Sequence, residues 1–123
     1  MVYHLPIYIA GVNRNLARLA GELCDGFHVH PFHSSQYVRA IVKPAIAEGA
    51  WREGRDSEAV ELSTSVFAVA GENEEEVEDQ RDKMRAQISF YSSMPTYRTV
   101  LEAHGWAEVG EKLGWLARAR GET

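Results

Sequence analysis

The sequence predicts an α/β fold in which three parallel strands alternate with helices, and three observations carry that expectation. Apolar runs rich in β-formers lie at 6–10, 26–30 and 62–70. Segments with helical apolar spacing separate them. Each change of period is marked by Gly, Pro or a capping residue. A β-α-β-α-β order requires crossovers, hence parallel strands, right-handed connections and ligand chemistry at the C-terminal strand ends. The chain is read as one domain, 1–123: its 45% hydrophobic and 25% charged residues are ordinary globular composition. A chain of this size buries about two-thirds of its unfolded surface, enough for a core without staples.

Pro6 to Ala10 is a short apolar run that stops at Gly11, with Val12 and Asn13 completing a tight turn. Leu16, Leu19, Ala20 and Leu23 then fall at i, i+3, i+4 and i+7, one face of a helix. Asn13 or Asn15 is its candidate N-cap, and Gly26 lies just past its end. Gly26 to His30 reads as the second strand, with Phe27 and Val29 on one face and His28 and His30 on the other. Pro31 ends it. Ser34 or Ser35 caps the next helix, whose stripe is Val38, Ile41, Val42, Ala45 and Ile46; Pro44 should kink or split it before it ends near Gly54.

Leu62 to Ala70 is the third and longest predicted strand, with β-branched and small residues on both faces, as for a strand covered on both sides. After Gly71, Asn73 with Glu76 three residues on is a capping-box pattern opening an acidic first turn. Val77, Met84, Ile88 and Tyr91 mark the buried face of this helix, and Asp79 with Lys83 an exposed pair. Pro95 interrupts it. Tyr97, Val100 and Leu101, then Val109, Leu113 and Leu116, predict two further helices divided at Gly105.

Thirteen basic against eighteen acidic residues give a net charge of −5, with the acidic excess gathered in 72–82, so phosphate-backbone binding and nucleic-acid partners are not expected. That acidic run has no EF-hand spacing and reads as a solvated helix face. No apolar stretch reaches membrane-spanning length, no signal-peptide pattern opens the chain, and the single cysteine forms no internal disulfide; a cytoplasmic location with no membrane partner is the expectation. Cys24 reads as a buried thiol, and Trp51, Trp106 and Trp115 as packing residues or caps over the core.

His28, His30 and His33 within six residues are the conspicuous chemical feature. Two imidazoles on one strand face suit a shared metal, but only His4 and His104 remain elsewhere to complete a ligand set, so no metal site is assigned. Histidines hydrogen-bonded to backbone at a strand end, or lining a pocket, are the competing readings. His30 is the candidate catalytic base from its strand-end position. Gly11, Val12 and Asn13 form a βα turn whose N–H groups suit an anion, or merely a tight connection, and Arg14 would reinforce an anion site if it points inward.

The stretch PIYIAGVNRNLARLAGELCDGFHVHPF resembles the luciferase-like monooxygenase superfamily, especially its deazaflavin-dependent oxidoreductases. The resemblance continues through the L-A-R-L-A-G segment (16–21), Asp25-Gly26-Phe27, Gly54-Arg55-Asp56 and the long acidic-start helix from Gly71 to Tyr91. It covers about Pro6 to Gly121, with Gly-Val-Asn where many relatives have a Gly-Gly-Pro-type turn. It implies a (β/α) barrel oxidoreductase that binds coenzyme F420, or alternatively FMN, at its C-terminal strand ends and moves a hydride to or from a small-molecule substrate. Carried over by position, Ala10, Gly11, Val12 and Asn13 lie against the cofactor's ring system or phosphate, and His28 and His30 face the pocket.

A complete eight-stranded barrel takes about 250 residues, so the chain is expected to be a partial barrel segment of about three strands with C-terminal helices. Its open sheet edges point to a homo-oligomer. Two rival readings stand beside an oxidoreductase segment: a self-associating remnant without catalysis, and a His-x-His metal-dependent hydrolase.

Overall fold

Residues 4–121 are described in the computed structural model, and they divide into two units between Ser65 and Val66. In the first, β1 (Tyr8–Gly11), β2 (Gly26–Val29) and β3 (Glu61–Thr64) form a parallel sheet in the order β1-β2-β3. Sequential order with every strand parallel is the arrangement of a (β/α) barrel segment. The register aligns Tyr8 with Gly26 and Glu61, and Ala10 with His28 and Ser63. Tyr8, Ala10 and Glu61 are exposed, whereas Phe27 and Val29 on the opposite face are fully buried.

Helix α1 (Arg14–Leu23) begins where Asn13 Oδ1 accepts the Leu16 N–H at 2.9 Å. It ends at Leu23 with Cys24 as C-cap, and Gly26 lies just past that end and opens β2, both as expected. The helix end is satisfied by Arg55, whose guanidinium donates to the carbonyls of Gly21 at 2.5 Å and Cys24 at 2.7 Å, without a left-handed cap. Gly26 is needed for space: a Cβ there would stand 2.2 Å from the Tyr8 ring.

The second helical segment opens at Ser34, whose hydroxyl accepts the Tyr37 N–H at 3.0 Å. It runs as α2 (Ser35–Tyr37), a π-helical turn (Val38–Val42) and α3 (Lys43–Arg52). Pro44 has no N–H to give its i−4 carbonyl, and the chain accommodates it with the wider turn just before rather than a break. Helices α1 and α3 pack at backbone contact through Gly21, Gly49 and the buried Ala17, Ala20, Ala45 and Ala50. The Tyr37 hydroxyl, buried, donates to the Val12 carbonyl at 2.7 Å and ties this segment to the turn after β1.

Two strand predictions are corrected. β1 starts later than Pro6, because the Ile7 N–H turns to the Asp25 carboxylate at 2.8 Å. The third strand is not the longest: it stops at Thr64, opposite Val29, the last residue of β2, and 65–70 has no ladder partner in the sheet. Nor is the segment covered on both faces, since Val66 and Val69 are exposed. A strand extends only as far as its neighbour offers hydrogen bonds, and Pro31 ends the neighbour.

The second unit is helical. Helix α4 (Glu74–Ser93) starts where Asn73 Oδ1 accepts the Glu76 N–H at 2.9 Å; Glu76 Oε2 returns the bond to the Glu72 N–H rather than to Asn73, a variant of the expected box. Asp79 and Lys83 pair at 3.0 Å. Met94 is extended, as a residue before proline prefers, and α5 (Arg98–Ala103) follows a short 3₁₀ turn. Gly105, at φ +73°, reverses the chain into α6 (Ala107–Ala119). Gly110, Gly114 and Ala117 form the buried face of α6, and α6 packs on α4. Val77, Met84 and Tyr91 are half-buried, but Ile88 is exposed. All three tryptophans are exposed too, so they do not cap a core here; Trp106 stacks on His104 at 4.5 Å.

Candidate functional site

The residues singled out in sequence gather at the C-terminal end of the sheet, where β1 gives Ala10 and Gly11, β2 gives His28 and His30 follows it. His30 extends the pairing by one bond, its N–H donating to the Gly11 carbonyl at 2.9 Å. Ala10, His28 and Ser63 form one row across the exposed face. The half-buried His28 ring is held on both nitrogens: Nδ1 lies 3.0 Å from Ser63 Oγ and Nε2 3.3 Å from Ser65 Oγ. Thr64 between them points the other way and donates to the Val29 carbonyl at 2.9 Å.

His30 is arranged differently. Its Nδ1 accepts the Phe32 N–H at 3.1 Å, which places the proton of the neutral ring on Nε2. Burial, and secondarily the neighbouring His33, lowers its pKa below the ordinary histidine value and so favours the neutral ring. His33 Nδ1 donates to the His30 carbonyl at 2.9 Å, closing the turn after β2. The two strand-face histidines thus engage different partners, and among the described residues no three His, Cys, Asp or Glu side chains converge as a metal site.

The turn after β1 is packed more than it is open. A Cβ at Gly11 would stand 2.5 Å from Leu16 Cδ1 and 3.3 Å from Leu16 Cβ, so this glycine admits the first turn of α1 against the strand. Val12 is buried and its carbonyl is taken by Tyr37; the Asn13 side chain caps α1. Arg14 points to Glu48 on α3 at 3.5 Å and is largely exposed, the solvated alternative to an anion site. The side chains of this turn are thus engaged within the fold, whereas Ala10, His28 and Ser63 lie in one row on the other face of the strands. The cavity of about 280 Å³ lined by Lys43, Ile46, Val60 and Leu62 involves Leu62, on the face opposite His28, and not this row.

The Asp25-Gly26-Phe27 and Gly54-Arg55-Asp56 segments serve the opposite, N-terminal end of the sheet. Asp25 accepts from the Ile7 N–H and lies 2.7 Å from His4 Nε2; these contacts hold its carboxyl below the usual aspartate range. The Tyr8 hydroxyl donates to Glu61 across Gly26. Cys24 is buried, and desolvation pushes its thiol pKa up, as for a buried structural thiol. Ser63 and Ser65 were missed in sequence. Their spacing of two was the available signal, but it becomes useful only once the β3 register is known.

The family model described as luciferase-like monooxygenase matches residues 2–123. An uncharacterized protein of Mycobacterium bovis and two of Mycobacterium tuberculosis are each 37% identical to the chain over 117 residues, 94% of this chain and 34% of the relative. The chain spans about a third of the length of these curated relatives. No helix among the described residues is long and apolar enough to cross a membrane.

Proposed function

The chain belongs to the luciferase-like monooxygenase family, and on that premise we propose that it forms part of a flavin- or deazaflavin-dependent oxidoreductase, the Ala10–His28–Ser63 row lying against the cofactor ring. The observation that carries this reading is the row itself: a small exposed residue on the edge strand followed by the hydrogen-bonding His28 and Ser63, at the C-terminal end of parallel strands, where such folds bind ligands. Coenzyme F420 is the favoured cofactor and FMN the alternative; either supplies hydride chemistry, while the chain supplies orientation and electrostatics. Gly11, Val12 and Asn13 border the same ligand and meet it through backbone N–H groups, since the Asn13 side chain caps α1 and Val12 is buried.

His30 is the proposed catalytic group from its place at the strand end, where its Nδ1 accepts the Phe32 N–H and its backbone N–H pairs with Gly11.

The test is a fluorescence titration of the folded chain with oxidised F420 and, separately, FMN, comparing wild type with Ala10→Asp. Ala10 is the better probe than Gly11, because any side chain at Gly11 also disturbs Leu16. Saturable binding that Ala10→Asp weakens by about tenfold or more, the effect of an unpaired carboxylate against a neutral ring, is expected. A folded wild-type chain that binds neither cofactor overturns the reading.

A second reading, association between copies, has its own support. The approach to β1 exposes Leu5, Ile7 and Tyr8, and α1 exposes Leu19 and Leu23, beside an unpaired strand edge. Light scattering of wild type against Leu23→Glu tests it: a dimer that the substitution dissociates supports association, and a wild-type monomer removes it.

A further inference from the structure

Both nitrogens of His28 face serine hydroxyls, Ser63 Oγ at 3.0 Å from Nδ1 and Ser65 Oγ at 3.3 Å from Nε2. A neutral imidazole has one N–H and one lone pair, so at most one serine accepts from the ring while the other donates to it. The serine that accepts keeps its own O–H to donate onward, and the serine that donates keeps lone pairs to accept. The direction of the whole Ser–His–Ser chain is then set by one choice, which ring nitrogen carries the proton. Reversing that choice reverses both hydroxyls together.

We propose that Ser63 and Ser65 are positioning residues that clamp His28 on both nitrogens and make it a reversible hydrogen-bond chain, able to present either a donor or an acceptor to a ring ligand on the exposed sheet face. This deepens the cofactor reading above and rests on it for the identity of the ligand. The ligand class it fits is a heterocycle with a ring nitrogen that accepts a hydrogen bond when oxidised and becomes an N–H donor when reduced. A fixed donor would serve one of those two states and oppose the other; a reversible chain serves both. In the reversal the Nδ1 proton passes to Ser63 Oγ as the Ser63 proton passes to a water on the exposed sheet face. Nε2 takes the Ser65 proton, and the exposed Ser65 recovers one from water, so no net charge is left on the chain.

Ser63 and Ser65 are spaced by two along the chain as it leaves β3, which brings both hydroxyls to His28 while Thr64 turns to the Val29 carbonyl. The clamp is therefore a product of strand alternation, and the Thr64 bond holds the register of β3 against the end of β2.

The measurement is long-range ¹H–¹⁵N NMR of the histidine rings in the labelled chain without cofactor, with His28→Gln identifying the signal. A ring nitrogen that loses its serine is better left with the lone pair than with the proton, so Ser63→Ala should move His28 toward the Nε2–H tautomer and Ser65→Ala toward the Nδ1–H tautomer, each by about threefold to tenfold, the cost of an N–H left without its partner. Ser63→Thr, which keeps the hydroxyl, should restore the wild-type ratio. An unchanged ratio in both alanine variants overturns the proposal, whatever the cofactor titration shows. If Ser63→Ala does not fold, Ser65→Ala at the exposed chain end decides alone. A wild-type chain that binds neither cofactor while the tautomer shifts are present would instead overturn the cofactor reading and leave the clamp standing.

Discussion

Replacing Gly49 by alanine separates helix propensity from tertiary packing, because the two predict opposite signs. In an exposed helix interior the change stabilises by about 1 kcal/mol. Here a Cβ at Gly49 would stand 2.0 Å from the Arg18 carbonyl oxygen and 3.0 Å from the Glu22 nitrogen, both backbone atoms of α1. No rotamer change relieves that contact, so α1 and α3 must move apart by more than an ångström. Forcing a packed interior costs about 1–3 kcal/mol, and a collision with main chain belongs at the upper end, leaving a net loss of about 2 kcal/mol. With a denaturant slope of about 2 kcal/mol per molar urea, the unfolding midpoint falls by about 1 M. Ala47→Gly, on the exposed face of the same helix, should cost about 1 kcal/mol by propensity alone. The assay is a urea melt by circular dichroism, with amide exchange of Ala20 and Ala50 as the local readout. A midpoint that Gly49→Ala leaves unchanged or raises would refute the backbone-contact account.

Arg55→Met should destabilise the first unit by about 2 kcal/mol, since charge-assisted bonds to the Gly21 and Cys24 carbonyls are lost and a helix end is left unsatisfied; Arg55→Lys should recover little, as an ammonium lacks the planar fork. Thermal melts of the three proteins decide it, and equal melting temperatures for wild type and Arg55→Met would count against the cap. For Asp25 the folded pKa is depressed, chiefly by the Ile7 N–H and then by His4. Its contribution is present above the unfolded aspartate value of about 3.9 and is lost as pH falls from there through the lower folded value. Stability profiles from pH 7 down should therefore drop less steeply below about pH 4 in Asp25→Asn than in wild type, and superimposable acid limbs would contradict the assignment.

Much of the fold was legible because period and punctuation are local. Asn13, Ser34 and Asn73 announce helix starts through side chains that reach only three residues along the chain. Gly105 and Pro95 act through their own backbones. The errors arose where the deciding partner is distant in sequence. The apolar character of Val66 and Val69 suggested a longer strand, but strand length was set by the end of β2, more than thirty residues away. The place of Gly26 past the helix end was legible, whereas the partner that satisfies that end, Arg55, lies more than thirty residues away and was not.

The candidate site divides the same way. Alternation placed His28 and His30 opposite Phe27 and Val29, and the burial of those two bears this out. Alternation did not reveal that His28 would meet Ser63 and Ser65, that His30 would turn its Nδ1 to Phe32, or that Gly11 would be filled by Leu16. Taken alone, the sequence determined the order and type of the elements, their caps and the family resemblance, because these depend on contacts within a turn or on alternation along a strand. Only the tertiary structure decided strand length, the close approach of α1 and α3, and the serine partners of His28. Those depend on which residues the register and the helix packing bring together from distant positions of chain, whereas His30 and His33 are held within their own turn.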